Sequence, residues 1–159
     1  RRAFQDLVLD IRKVLPDAGI GCDVLIGFPG ETEKAFENTF ELIRELPLTY
    51  LHVFPFSSRE GTPASHFTDK VPQQVVKERC SRVRELGQHK RKAFLSSQAG
   101  CSTKVLVENR RDRRTGRLKG ISANYITVLV EGSDDLMNTF QEVCLTGLHD
   151  DQSMIGSLT

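Results

Sequence analysis

Only two strand-like runs occur in the first 97 residues, and each is preceded and followed by a helical pattern. Ile20 to Gly27 is short and apolar, interrupted by Asp23, and Tyr50 to Phe56 is the second run. Before them, Phe4, Leu7, Val8, Ile11, Val14 and Leu15 recur at helical spacing until Pro16-Asp17-Ala18-Gly19 ends the helix. Thr32 predicts the N-cap of a second helix with Phe36, Phe40, Ile43 and Leu46 as its buried stripe, stopped by Pro47. Ser57 to Lys70 reads as a loop carrying Gly61 and Pro63. A longer helix follows from about Pro72 to Ser97, with Val76, Cys80, Val83, Leu86 and Phe94 mainly on one side. Helices alternating with near-continuous apolar strands predict a parallel α/β arrangement. Two parallel strands do not make a stable sheet by themselves, so this half is expected to be a slice of a larger barrel or doubly wound sheet.

After residue 97 the pattern changes. Lys104–Glu108, Leu118–Ser122, Tyr125–Glu131 and Phe140–Leu148 are short runs rich in Val, Leu, Ile and Thr, separated by turns bearing Gly, Asn or Asp. They predict a small antiparallel barrel related to the OB-fold. The boundary is expected between Ser96 and Ser102, giving an α/β part over 1–97 and a β-domain over 98–159.

Composition sets outer limits. With 38% hydrophobic and 27% charged residues the chain is globular, and no apolar run reaches the ~20 residues of a membrane helix. Its first residues are charged and enter a helical pattern directly, so a soluble cytoplasmic protein is the expectation, with no membrane partner. The net charge of +1 hides an uneven distribution. Eight Lys/Arg lie between Lys70 and Lys92 and seven between Lys104 and Lys119, whereas Glu131 to Asp151 holds six acids and no Lys or Arg. Such stripes fit either solvated faces or a polyanion partner.

Two loops fall on one face by topology. The first strand runs into Gly27-Phe28-Pro29-Gly30-Glu31-Thr32, and the second into Ser57-Ser58-Arg59-Glu60-Gly61-Thr62-Pro63. Glycines let backbone approach a ligand closely, a helix N-terminus favours an anion, and parallel barrels bind ligands at the C-terminal ends of their strands. The same residues also suit ordinary connectors. Asn109 to Arg117 reads as a hairpin loop with five arginines, among them Arg110, Arg111, Arg113 and Arg114, and Lys119 follows close behind. Arginine suits phosphate and stacks on bases, and Tyr125 offers a stacking face.

DVLIGFPGET, then HVFPFSSREGTPA, then VPQQVVKER resemble the C-terminal part of the radical S-adenosylmethionine methylthiotransferases. In that family the order continues into a TRAM domain, a small RNA-binding β-barrel. Gly120-Ile121-Ser122-Ala123-Asn124-Tyr125-Ile126-Thr127-Val128 is similar to a stretch of the tRNA-modifying members, and its Asn124-Tyr125 pair leans toward the branch acting on threonylcarbamoyladenosine next to the anticodon.

The resemblance implies an S-adenosylmethionine pocket beside Gly27, Gly30 and Glu31, with Phe54 near the adenine and Ser57 and Arg59 facing in. Phe54 equally fits a core position, and Arg59 a surface ion pair. His52 is expected to be a core or pocket-wall residue. The β-domain is implied to bind the tRNA anticodon arm through Arg110, Arg111, Arg113, Arg114, Lys119, Asn124 and Tyr125. The resemblance also implies 4Fe-4S clusters, one of them held by C-x-x-x-C-x-x-C. Here Cys22, Cys80, Cys101 and Cys144 are 58, 21 and 43 residues apart, so no metal ligand is assigned and the catalytic residues are unknown. The chain therefore reads as an incomplete (β/α) barrel segment plus a TRAM-like domain, inactive alone and prone to self-association. A stand-alone RNA-binding module, or a slice of another barrel enzyme with a protein-contact β-domain, are the competing readings.

Overall fold

A computed structural model describes all 159 residues. The chain divides into two compact units, one formed by residues 1–16 and 20–90, the other by 17–19 and 91–159.

In the first unit, α1 (Arg2–Val14) leads to β1 (Gly21–Ile26), α2 (Glu33–Glu45), β2 (Tyr50–Pro55) and most of the long α3 (Gln73–Ser97), whose residues from Arg91 on belong to the second unit. The Thr32 hydroxyl accepts the Ala35 N–H at 3.1 Å and starts α2, satisfying one of the donors a helix end leaves open. Lys90 Nζ donates to the carbonyls of Arg44 and Leu46 at 3.0 and 2.8 Å, closing the other end. Burial lowers the Lys90 pKa. β1 and β2 pair in parallel, with Asp23 opposite His52 and Leu25 opposite Phe54.

The expected parallel pairing is present, but the strands are not buried on both faces. Val24 and Ile26 are buried, and Gly87 lets α3 lie close to Leu51, since a Cβ there would stand 3.3 Å from the Leu51 Cβ. The opposite face is open: Leu25 is 51% and Phe54 50% exposed. Asp23 and His52 are exposed on the same row, so His52 is not a core residue.

The second unit is a closed five-stranded barrel in the order β3–β4–β5–β7–β6. Its strands are β3 (Ser102–Arg111), β4 (Leu118–Ser122), β5 (Thr127–Val130), β6 (Phe140–Leu148) and β7 (Ser153–Leu158). The last turns of α3 supply Phe94 and Leu95 to a core with Val105, Ile126, Val128, Val130, Val143, Leu145 and Met154.

A wholly antiparallel barrel, the expectation, is not what forms: β5 and β7 run parallel, Val128 opposite Met154. Parity explains it. A closed ring can alternate direction throughout only with an even number of strands, and five leave one parallel seam. The run expected as a strand from Tyr125 also starts later, at Thr127, because Tyr125 takes a positive φ of 61° in the turn before it.

Candidate functional site

The loops after β1 and β2 do lie together. Phe56 donates its N–H to the Ile26 carbonyl at 2.7 Å, and Gly30 its own to Asp69 at 2.8 Å. The Phe28 ring meets Phe56 edge-on at 5.2 Å and Phe67 at 6.1 Å. A shallow polar recess beside them is lined by Pro29, His66, Phe67, Thr68 and Asp69.

Glu31 is the fixed point of this rim. One carboxylate oxygen accepts the Gly27 N–H at 3.1 Å, and the other accepts from Arg79 Nη1 at 2.7 Å. Arg79 also donates to the Glu31 carbonyl at 3.1 Å and, through Nη2, to Glu33 at 2.7 Å. Burial alone would lower the Arg79 pKa, but its hydrogen bonds to Glu33 and Glu31 and their charges outweigh it and hold it above its ordinary value. Arg79 Nε is buried without a partner. Arg79 and Arg82 both stack on Phe36, at 5.1 and 4.9 Å. The first turn of α2 thus carries its own anion, Glu33, already answered by Arg79.

The two loop glycines differ. Gly27 has φ +82° and a Cβ there would fall 2.5 Å from Val76 Cγ2, so close packing against α3 demands it. Gly30 has φ +85° with open space around the missing Cβ. Phe54 faces the open side of the sheet and is not core. Ser57 and Arg59 are exposed, and the Arg59 carbonyl accepts the Thr62 hydroxyl at 2.7 Å, tightening the turn.

In the barrel, the arginine-rich connection is an aspartate-anchored turn. Asp112 Oδ1 accepts the Thr115 N–H and hydroxyl, both at 2.8 Å, and the Arg114 N–H at 3.2 Å. Those hydrogen bonds, led by the Thr115 hydroxyl, hold the Asp112 carboxyl below its usual range. Most of the arginines are tied down. Arg111 donates to Asp134, Gly116 and Gly132, each at 2.8 Å. Arg110 pairs with Glu108 and Arg117 with Glu131, at 3.1 and 2.9 Å. Arg114 Nη2 lies 3.1 Å from His149 Nε2 and 3.5 Å from Asp150. Arg113 stands exposed with no carboxylate partner. Lys119, half-buried on β4, lines a shallow recess with Arg114, His149, Asp150 and Gln152.

At the opposite end of β4, Asn124 and Tyr125 form the turn into β5. Asn124 Nδ2 donates to Gln98 Oε1 at 3.1 Å and to the Asp17 carbonyl at 3.0 Å, while Tyr125 is 68% exposed.

No family model matches the chain. Curated proteins do. The chain is 34% identical over 159 residues to the tRNA-2-methylthio-N(6)-dimethylallyladenosine synthase of Protochlamydia amoebophila, covering 98% of this chain and 34% of that protein. It is 36% identical over 134 residues to the threonylcarbamoyladenosine tRNA methylthiotransferase MtaB of Aquifex aeolicus, covering 83% and 30%. With the protein of that name from Rickettsia prowazekii it shares 43% over 99 residues, covering 62% and 23%. The chain belongs to the tRNA methylthiotransferase family.

It spans about a third of the length of the methylthiotransferases it matches. Its four cysteines are free, and no three His, Cys, Asp or Glu side chains gather around a common point. The residues present do not fit an iron–sulfur cluster. No helix is long and apolar enough to cross a membrane. In this chain, sequence reasoning missed Arg79 and the carboxylates Glu131, Asp134 and Asp150 that hold the arginines. The signal was there, in VPQQVVKER and in the acid-rich stretch that follows the basic one.

Proposed function

We propose that this chain is the part of a tRNA methylthiotransferase that supplies one rim of the S-adenosylmethionine pocket and a tRNA-binding barrel. The parent enzyme adds a methylthio group to a modified adenosine next to the anticodon, with threonylcarbamoyladenosine favoured by the Asn124-Tyr125 pair. It is a cytoplasmic radical S-adenosylmethionine enzyme whose 4Fe-4S ligands lie outside this chain. The sequence similarity over most of the chain to two kinds of tRNA methylthiotransferase carries the reading.

On this reading, residues 1–97 are the end of an incomplete (β/α) barrel and 98–159 are the TRAM-like domain. The open row of Leu25 and Phe54 supports it, because an inward-facing barrel row lacks cover when neighbouring strands are missing. Gly27, Gly30, Glu31, Phe54, Ser57 and Arg59 form the cofactor rim. Arg110, Arg111, Arg113, Arg114, Lys119, Asn124 and Tyr125 face the anticodon arm. The isolated chain is inactive and self-associates through the open sheet.

The test is complementation. The full reading frame containing this chain restores the methylthio group on threonylcarbamoyladenosine in a bacterium lacking its own enzyme for that step, read by mass spectrometry of digested tRNA. Restoration only in a strain lacking the dimethylallyladenosine enzyme moves the branch, and restoration in neither refutes the activity. Iron–sulfur reconstitution yielding a stable cluster on the isolated chain contradicts its inactivity. Light scattering showing a clean monomer contradicts self-association.

A further inference from the structure

We infer that Arg91 and Gln98 are positioning residues that hold the Tyr125 ring outward as a stacking platform for an unpaired RNA base, an inference that rests on the tRNA-binding reading of the barrel.

Tyr125 has φ 61°, a left-handed conformation that glycine or asparagine adopts more readily than a bulky aromatic residue. The residue is 68% exposed, so it adds little to the core, while the next residue, Ile126, is fully buried. Folding alone therefore gives no reason for an aromatic side chain at this turn.

The surroundings are built to keep the turn. Arg91 Nη2 donates to the Tyr125 carbonyl at 3.2 Å. Gln98 Oε1 accepts from Asn124 Nδ2 at 3.1 Å, and Asn124 Oδ1 accepts the Ser122 hydroxyl at 2.6 Å. The Ser122 oxygen in turn accepts the Ile126 N–H at 3.0 Å, and the Ser122 carbonyl accepts the Tyr125 N–H at 3.0 Å. Arg91 on α3 and Gln98 just after its end are only 9% and 6% exposed, so two buried polar side chains commit hydrogen bonds to this turn.

A ring carried into solvent on a hydrogen-bonded turn suits a flat, uncharged partner face. Unpaired bases stack on such rings whatever their sequence, and a pre-set platform loses little freedom on binding. A paired helix hides its base faces and offers no such contact.

The chain has two tyrosines and no tryptophan, so in a Tyr50→Phe background the intrinsic emission comes from Tyr125 alone. The probes are an RNA stem–loop with an unpaired loop and a fully paired duplex of the same length. The stem–loop is expected to quench Tyr125 emission and the duplex to leave it. Tyr125→Gly should keep the melting temperature at or above that of the parent yet weaken stem–loop binding about tenfold. Gln98→Ala and Arg91→Lys, measured well below their melting temperatures, should weaken binding several-fold and lower the steady-state anisotropy of Tyr125 emission. Unchanged affinity in Tyr125→Gly overturns the platform. Weakened binding in Tyr125→Gly, with the Arg91 and Gln98 variants both keeping parental affinity and anisotropy, overturns the positioning role alone. Binding to neither RNA refutes the barrel's RNA reading and this inference with it.

Discussion

Arg79 Nη1 stands 2.7 Å from Glu31 Oε1, joining the third helix to the loop after the first strand. Both side chains are mostly buried, at 7% and 14% exposure. Removing one partner leaves the other charge stranded, which costs about 3 kcal/mol or more. Arg79→Ala is expected to destabilise the first unit by roughly that amount in urea unfolding. A shift within experimental scatter would mean that the pair does not support the fold.

The two loop glycines separate packing from backbone strain. Gly27→Ala meets both a positive φ and Val76, and should cost about 2 kcal/mol or more. Gly30→Ala meets only the strain and should cost about 1 kcal/mol. Adding Val76→Ala to Gly27→Ala should recover part of the loss, which a double-mutant cycle measures.

Acid should loosen the barrel turns. The Asp150 carboxyl is raised by burial, but hydrogen bonds from the Ser153 hydroxyl and the Gln152 and Ser153 N–H groups bring it below the ordinary 3.8. Asp112 is lowered likewise. Between the lowered values and 3.8 the unfolded chain binds protons that the folded chain does not. The stabilisation is therefore complete above that range and is lost as pH falls through it. Thermal melts followed by circular dichroism on both sides of pH 3.8 should show this, and Asp112→Asn with Asp150→Asn should flatten the dependence.

The arginines should not respond alike. Arg113→Ala should lower the salt slope of tRNA binding by about 0.7–0.9 for each phosphate the side chain neutralises, with the fold unchanged. Arg111→Ala should instead cost the barrel about 1 kcal/mol, a modest figure because its side chain is 36% exposed. Equal effects of the two on binding and on melting would refute the division.

Much of the first unit was legible because period and punctuation agree: Thr32 caps where it should, Pro47 stops α2, and Cys80 and Val83 of α3 are buried. β7 was not. Gly156 interrupts its apolar pattern, yet a Cβ there would collide with Val143 Cγ1, so the glycine is a packing requirement inside the barrel. Nor does a strand pattern carry pairing direction, which hid the parallel seam. At the candidate site, the arginines were readable as a cluster, but which carboxylate holds each one depends on strands that only the closed ring brings together.

That ring has an order of assembly. β7 pairs with both β5 and β6, and it follows both in the chain. On the ribosome, β3, β4 and β5 can emerge and form their meander, but the ladder that seals them must wait until Leu158 has left the exit tunnel. Until then β5 keeps a bare edge, so a pause in translation late in this segment would leave a sticky half-barrel for a chaperone to cover.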